Sequence, residues 1–349
     1  MVEQSKLCWY VPRGENLKWG ENMTIELELT EEEHLKLYRR MVLIRTFEEA
    51  CAEQYTKGKI TGFTHLYSGE EAVAVGAMSV ISDKDYVVSS YRDHGHALVK
   101  GASARQVMAE LFGKSTGLSH GRGGSMHLFD PGLRFMGGYA IVAGGIPITV
   151  GIGLATKYRG EDEIVATFFG DGAVNQGVFH ESLNMAKLWN LPVVFICENN
   201  FYGIGTNISR ASAIDDLYKR TCSYNIPSLQ VDGMDVLAVR KGVVEFVKKV
   251  REGGGPVFIE AKTYRFRGHS MADPDEYRSK MELKIWRERD PIKRFAAHLS
   301  REGLAAPEKL EAIQAEVDQV VADAVDFADK SPEPSLDELF DNVYAAQGE

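Results

Sequence analysis

Two short runs, Val-Ala-Thr-Phe-Phe at 165–169 and Val-Val-Phe-Ile-Cys at 193–197, constrain the fold of this chain more than any other feature. Each is apolar on consecutive residues, the pattern of a strand covered on both faces. Strands of that kind belong to parallel sheets, whose members are joined by crossovers that are usually helical. The rest of the chain meets that need. Val87-Val88 precedes a helix expected over about 103–112, and further strands are expected over 228–231 and 256–264. The alternation predicts an α/β fold, a mainly parallel sheet with helices on both faces.

Helical segments extend this unit at both ends. The first long helical pattern opens at Thr30, a suitable N-cap followed by Glu31, Glu32 and Glu33 at the positive end of the helix dipole. It runs to about residue 57 with Leu35, Tyr38, Val42, Phe47 and Ala50 at helical spacing, and Gly58 ends it. Two amphipathic helices, about 279–301 and 308–328, are expected near the C-terminus. Residues 1–29 read as an N-terminal extension and 30–345 as one domain, without internal repeats or low-complexity stretches.

Composition narrows the function. At 349 residues and 44% hydrophobic content the chain can bury a full core. Cys8, Cys51, Cys197 and Cys222 are scattered, which suggests neither a disulfide framework nor structural zinc and fits a reducing setting. The net charge of −10 is spread along the chain with no basic run, so nucleic acid is set aside as a partner. No stretch approaches the ~18 apolar residues of a membrane span. The N-terminus has no apolar h-region and is not rich in Arg and Ser, so it does not read as a signal or transit peptide.

The chemistry concentrates after the first of the two apolar runs. Gly170-Asp171-Gly172-Ala173 stands between a buried strand and a helical pattern, where glycines permit close approach of a ligand and helix-start amides form an anion site. Asp171 offers a hard oxygen beside that anion, as a magnesium ion bridging protein and diphosphate requires. Asn200 follows 29 residues later, at the end of the second run. Its side-chain oxygen and the backbone carbonyl of Tyr202 are suited to the same shell. GDG alone is common in turns; the later Asn-Asn pair gives it weight.

These residues carry a family resemblance. GDG with a downstream double Asn resembles the thiamine-diphosphate signature. The stretches HLYSGEEA (65–72), YRDHGH (91–96), GRGGSMH (121–127), GDGAVNQG (170–177), ENNFYG (198–203), VDGMDV (231–236) and YRFRGHSMADP (264–274) extend it. Together they resemble the alpha subunits of thiamine-diphosphate-dependent 2-oxo acid dehydrogenases, pyruvate dehydrogenase above all, across nearly all of 30–345.

The resemblance implies a thiamine-diphosphate-binding fold with thiamine diphosphate and Mg2+ as cofactors. It places Asp171, Asn200 and the Tyr202 carbonyl on magnesium and the Gly172 and Ala173 amides on the diphosphate. Tyr91 and Arg92 match cofactor contacts, an Arg fork being suited to two phosphate oxygens; a surface salt bridge is the alternative for Arg92. Ala140 and Val142 match positions near the aminopyrimidine, although the family usually has Gly where Ala140 stands, and Val142 equally fits ordinary core. His269 matches a histidine over the cofactor and His65 one associated with the 2-oxo acid. His94 and His96 are expected to position loops. Ser270 stands where eukaryotic relatives are phosphorylated and is treated as a loop residue.

The implied activity is decarboxylation of a 2-oxo acid, pyruvate first, with transfer of the acyl group to a lipoyl group of a dihydrolipoyl acyltransferase. Activation of the cofactor needs a glutamate that two-chain relatives take from a beta subunit, and Glu71 does not match it. The chain is therefore expected to be inactive alone and to work in a heterotetramer of two alpha and two beta chains. Acetoin dehydrogenase and branched-chain 2-oxo acid dehydrogenase are alternatives within the class, and a non-catalytic assembly subunit is the alternative outside it. The expected location is a bacterial cytoplasm, or else a plastid or mitochondrial matrix.

Overall fold

In the computed structural model, which describes residues 29–341 and residue 343, six parallel strands form the sheet that the two apolar runs demand. They are β1 (Tyr86–Ser90), β2 (Phe135–Tyr139), β3 (Val165–Gly170), β4 (Val193–Asn199), β7 (Ser228–Asp232) and β8 (Val257–Lys262), with β5 (Tyr202–Gly203) and β6 (Thr206–Asn207) making a separate small hairpin. Their order is β2-β1-β3-β4-β8-β7, every neighbouring pair parallel. All seven residues of β4 are buried.

Consecutive apolar residues build two cores at once, because successive side chains of a strand point to opposite faces. Ala166, Phe168, Val194 and Ile196 join one cluster with residues of α1 (Glu31–Thr56), α2 (Glu71–Met78), α3 (His94–Lys100), α4 (Ala104–Leu111), α8 (Val236–Arg251), α10 (Pro291–Arg301) and α11 (Pro307–Lys330). Phe169, Val193, Phe195 and Cys197 join the other with α5 (Gly145–Arg159) and α6 (Gly177–Leu188). The sheet is thus sandwiched between helices, as expected. Among the described residues no helix is long and apolar enough to cross a membrane.

The first helix begins where expected. The Thr30 hydroxyl accepts the Glu33 N–H at 3.2 Å and the Glu33 carboxylate accepts the Thr30 N–H at 2.8 Å, a reciprocal capping box. Gly58, at φ +74°, takes the left-handed turn after its end. Its buried face is broader than the expected stripe. Tyr38, Val42 and Phe47 are buried, but Leu37, Met41, Ile44 and Cys51 complete the face while Leu35 and Ala50 stay partly exposed, since the helix is enclosed by both α2 and α11.

The helix expected over 279–301 is two helices, α9 (Lys280–Glu288) and α10. Pro291 cannot donate within a continuing helix, and Asp290 caps a fresh start by accepting the N–H of Ile292 at 2.9 Å. The strand β2 and the helices α2, α3, α5 and α8 add to the elements read from sequence. Cys51 and Cys197 are buried thiols, whereas Cys222 takes part in a disulfide that the scattered cysteines gave no reason to expect.

The fold predicts unequal costs for two truncations. Phe195→Ala empties a fully buried site and is expected to cost about 3–5 kcal/mol, whereas Thr30→Ala removes one exposed cap worth about 1 kcal/mol. Denaturant titration of the two variants under identical conditions checks the ratio.

Candidate active site

The chain passes from β1 outward to β2 and then returns to lay β3 along the other side of β1. Such a reversal of strand order opens a crevice at the carboxyl ends of the strands. A cleft of about 340 Å³ lies there, lined among others by Tyr91 and Arg92 after β1, Asp171, Gly172 and Ala173 after β3, and Asn200 and Tyr202 after β4.

Asp171 opens a 3-10 turn, Asp171–Asn175, rather than the α-helix itself, which starts at Gly177. The first N–H groups of such a turn have no internal acceptor and remain the expected anion site. Gly170 and Gly172 are not needed for backbone freedom, as neither has a positive φ. They leave the wall bare: a Cβ at Gly170 would meet nothing within 4 Å, and one at Gly172 only the Gly203 Cα at 3.6 Å. Asp171 is 4% exposed, and burial raises its carboxyl to about 6 against the lowering influence of backbone N–H groups, including that of Asn200.

The two asparagines divide their tasks. Asn199 is structural: its amide donates to Glu260 at 2.6 Å, its side-chain oxygen accepts the Phe201 N–H at 3.1 Å and its carbonyl accepts the Thr263 N–H at 3.0 Å. Phe201, at φ +70°, then turns the chain into the β5–β6 hairpin. Asn200 faces the cleft, donating through Nδ2 to Glu70 at 3.0 Å.

The opposite wall is aromatic and imidazole. His65 packs on Tyr91 at 4.6 Å and on His269 at 4.9 Å between ring centroids, and the Nδ1 atoms of both histidines are buried without a partner. Burial first, then the Arg92 charge, lowers His65 to about 2 and His269 to about 4. Both rings are neutral at neutral pH. The Arg92 fork does not point two free arms at the cleft; it donates to the carbonyls of Leu66 at 2.5 Å and His269 at 2.9 Å, tying the His269 loop to the rim. That loop is fixed again where Asp273 accepts the His269 N–H at 2.5 Å and the Tyr277 hydroxyl at 2.6 Å, and where Arg278 donates to the carbonyls of Arg265 and Arg267.

The sequence matches the family model described as dehydrogenase E1 component over residues 39–337. It is 48% identical to the pyruvate dehydrogenase E1 component subunit alpha of Porphyra purpurea over 92% of this chain and 95% of that protein. It is 50% identical to the subunit of the same name from Rhizobium meliloti (strain 1021) over 90% and 91% of the two chains. A chloroplastic subunit, alpha-3 of Arabidopsis thaliana, is 46% identical over 91% of this chain and 76% of that protein. The chain belongs to the dehydrogenase E1 component family.

In this E1 component the cleft gathers most of the residues singled out in the sequence. Val142 lines it and is 42% exposed, not core, whereas Ala140 is half-buried and is not among the lining residues. His65 lies behind Tyr91 and His269 rather than on the cleft surface. His94 and His96 serve as anchors: His94 lies 2.9 Å from Glu48 and 2.9 Å from the Ser125 hydroxyl, and His96 3.0 Å from Glu198 and 3.2 Å from the Ser89 hydroxyl. Glu71 is spent on a two-armed ion pair with Arg45.

Three charged lining residues were not singled out in the sequence: Glu70, Glu198 and Arg265, which are 1%, 3% and 1% exposed. Their signal was available, since charged residues at the ends of apolar strands or beside a predicted site must be paired or functional when buried. Arg265 donates to the Tyr277 hydroxyl at 2.8 Å and to the Ile204 carbonyl at 3.3 Å, which places a guanidinium charge on the cleft wall. Burial, opposed by Arg92, raises Glu70 to about 7.

The lowered histidines set a pH dependence. A base with a lower pKa folded than unfolded takes up its proton first in the unfolded chain, so it subtracts stability as pH falls below the unfolded value of about 6.5. For His269 the loss runs from there to about 4, and for His65 on to about 2. His269→Asn is expected to flatten the decline between pH 6.5 and 4 in denaturation midpoints. Imidazole NMR signals of His269 in the wild type should show no protonation above about pH 5.

Proposed function

We propose that this chain is the alpha subunit of a pyruvate dehydrogenase decarboxylating component that acts with a beta subunit, thiamine diphosphate and Mg2+. The observation that carries the reading is the pairing, across one cleft, of hard oxygen ligands on Asp171, Asn200 and Tyr202 with the neutral His269 on the opposite wall. Support also comes from relatives named as pyruvate dehydrogenase E1 alpha subunits that span about nine-tenths of the chain.

The residues fit the cofactor pair on their own chemistry. A carboxylate, an amide oxygen and a backbone carbonyl form an all-oxygen set of the kind magnesium takes. Bare glycine at 170 and 172 gives phosphate oxygens access to the turn amides of Gly172 and Ala173, and Arg265 offers positive charge on the same wall. Tyr91 and Val142 offer the cleft its less polar surface. Thiamine diphosphate supplies, when bound, the carbon nucleophile and the electron sink for loss of carbon dioxide.

This chain then binds and orients. Asp171 and Asn200 would hold the metal and diphosphate, and Tyr91 with the His269 loop would line the cleft beside them. His269, held neutral, has an Nδ1 without a hydrogen-bond partner and can hold or pass a proton there. His65 packs edge-on against it and fixes its ring. Arg92 keeps the loop closed on the rim by its two carbonyl contacts.

A beta subunit completes the site. Beside the cleft, Ile141, Val142, Ile148, Leu154 and Tyr158 present apolar side chains 42–90% exposed along α5 and the turn before it. A run of this kind is an interaction surface more often than a solvated one. The partner that covers it brings the activating glutamate, and the acetyl group leaves for the lipoyl group of a dihydrolipoyl acyltransferase. We place the reaction in a bacterial cytoplasm, with the plastid of the Arabidopsis relative as the alternative.

Carbon dioxide release from pyruvate with an artificial electron acceptor tests the reading. Activity is expected only from this chain co-purified with its beta subunit, Mg2+ and thiamine diphosphate, and Asp171→Ala is expected to remove at least about 99% of it. Turnover by the chain alone would sink the two-chain reading, and marked preference for acetoin or a branched-chain 2-oxo acid would move the substrate.

A further inference from the structure

Glu70 stands at the N-cap of α2, where a carboxylate ordinarily accepts an N–H of its own helix, yet its side chain makes no capping bond. It reaches across the cleft instead. One oxygen accepts Asn200 Nδ2 at 3.0 Å, and the other, buried and without a hydrogen bond, lies 3.7 Å from Arg92 Nε. The group is 1% exposed and joins a loop before α2 to the ends of β1 and β4.

From this geometry we infer that Glu70 is a positioning residue for the metal, acting through Asn200 and resting on the cofactor reading above. An asparagine amide is nearly symmetric in shape, and a half-turn about its last torsion exchanges Oδ1 and Nδ2. Only the oxygen can ligate a cation. In its ionised form, paired with Arg92, Glu70 presents Asn200 with an acceptor, so it holds Nδ2 on its own side and leaves Oδ1 to the cleft. Oδ1 also accepts the Tyr202 N–H at 3.3 Å, a long contact that favours the same orientation weakly. Glu70 also explains why a second carboxylate is tolerated beside a diphosphate site: it sits against Arg92 and the Asn200 amide.

The test uses the complex with the beta subunit and titrates Mn2+ by electron paramagnetic resonance in the presence of thiamine diphosphate, alongside the Mg2+ dependence of turnover. Glu70→Leu, which removes the acceptor and keeps the bulk, is expected to weaken metal binding roughly tenfold, while Glu70→Gln, which can still accept through its oxygen, stays within about twofold. The KM for pyruvate should be far less affected than that for Mg2+. Asn200→Asp in the Glu70→Leu background supplies oxygens in both orientations and is expected to restore the affinity, which a variant that merely fails to fold would not do. Unchanged Mn2+ affinity in Glu70→Leu, or loss that Asn200→Asp does not restore, overturns the inference. Failure of the wild-type complex to bind Mn2+ with thiamine diphosphate would instead overturn the cofactor reading itself.

Discussion

The parallel pairing of β3 with β4 sets Gly170 opposite Glu198, and from that register follows the meeting of Asp171 with Asn200 at one rim. The apolar pattern does not enforce it, because strands buried on both faces accept a one-residue slip without exposing a polar face. The polar ends do. Glu260 on β8 lies opposite Cys197, is fully buried, and accepts hydrogen bonds from Asn199, the Tyr218 N–H and Gln230. A slip of β4 would strip that carboxylate of its Asn199 partner, and a hydrogen bond to a charged group is worth about 1.5–3 kcal/mol. The residue that secures the register is therefore the neighbour of the residue that faces the cleft.

The same logic of buried charge runs through the rest of the site. Arg92 is satisfied by two carbonyls, Arg265 by Tyr277 and backbone oxygens, and Glu198 by Tyr67 and His96. Among the described residues, many of the buried polar atoms without partners lie on the loop before α2 and on the His269 loop: Thr64, His65, Ser68, Glu70 and His269. Buried polar atoms are ordinarily satisfied; of these residues Glu70 and His269 line the cleft, and Thr64, His65 and Ser68 lie behind it.

Much of this was legible in the sequence because the controlling signals are local. Apolar runs at 165–169 and 193–197 read as doubly covered strands, and Asp171, Asn200 and Tyr202 followed from what stands at their carboxyl ends. What was not legible depended on distant partners. Nothing near Glu70 in the chain reveals Asn200, which is 130 residues away, and the expected fork of Arg92 on phosphate presumed that no backbone carbonyl would take its arms. The break at Pro291 was a local signal passed over, since proline with a preceding aspartate is a helix start wherever a helical pattern continues beyond it. Edge strand β2, with the sequence Phe-Met-Gly-Gly-Tyr, lacks the β-branched composition that identifies strands. It is held by tertiary fit, where Gly138 leaves the space into which Asp93 reaches.

The loop that carries His269 is held by a dense set of contacts within the chain. Arg278, 8% exposed, grips the carbonyls of Arg265 and Arg267, pairs with Asp275, and lies over the rings of Tyr202, Tyr264 and Tyr277. Tyr264 in turn stacks on Trp286 of α9 at 5.0 Å, and the Tyr202 and Tyr264 hydroxyls both donate to Glu282. The loop is thus locked by an element of its own chain. The wall of the cleft that carries His269 is therefore built by contacts within the chain. The two rims of the cleft are tied together within the chain: Arg92 donates to the His269 carbonyl and lies beside Glu70, which accepts the Asn200 amide.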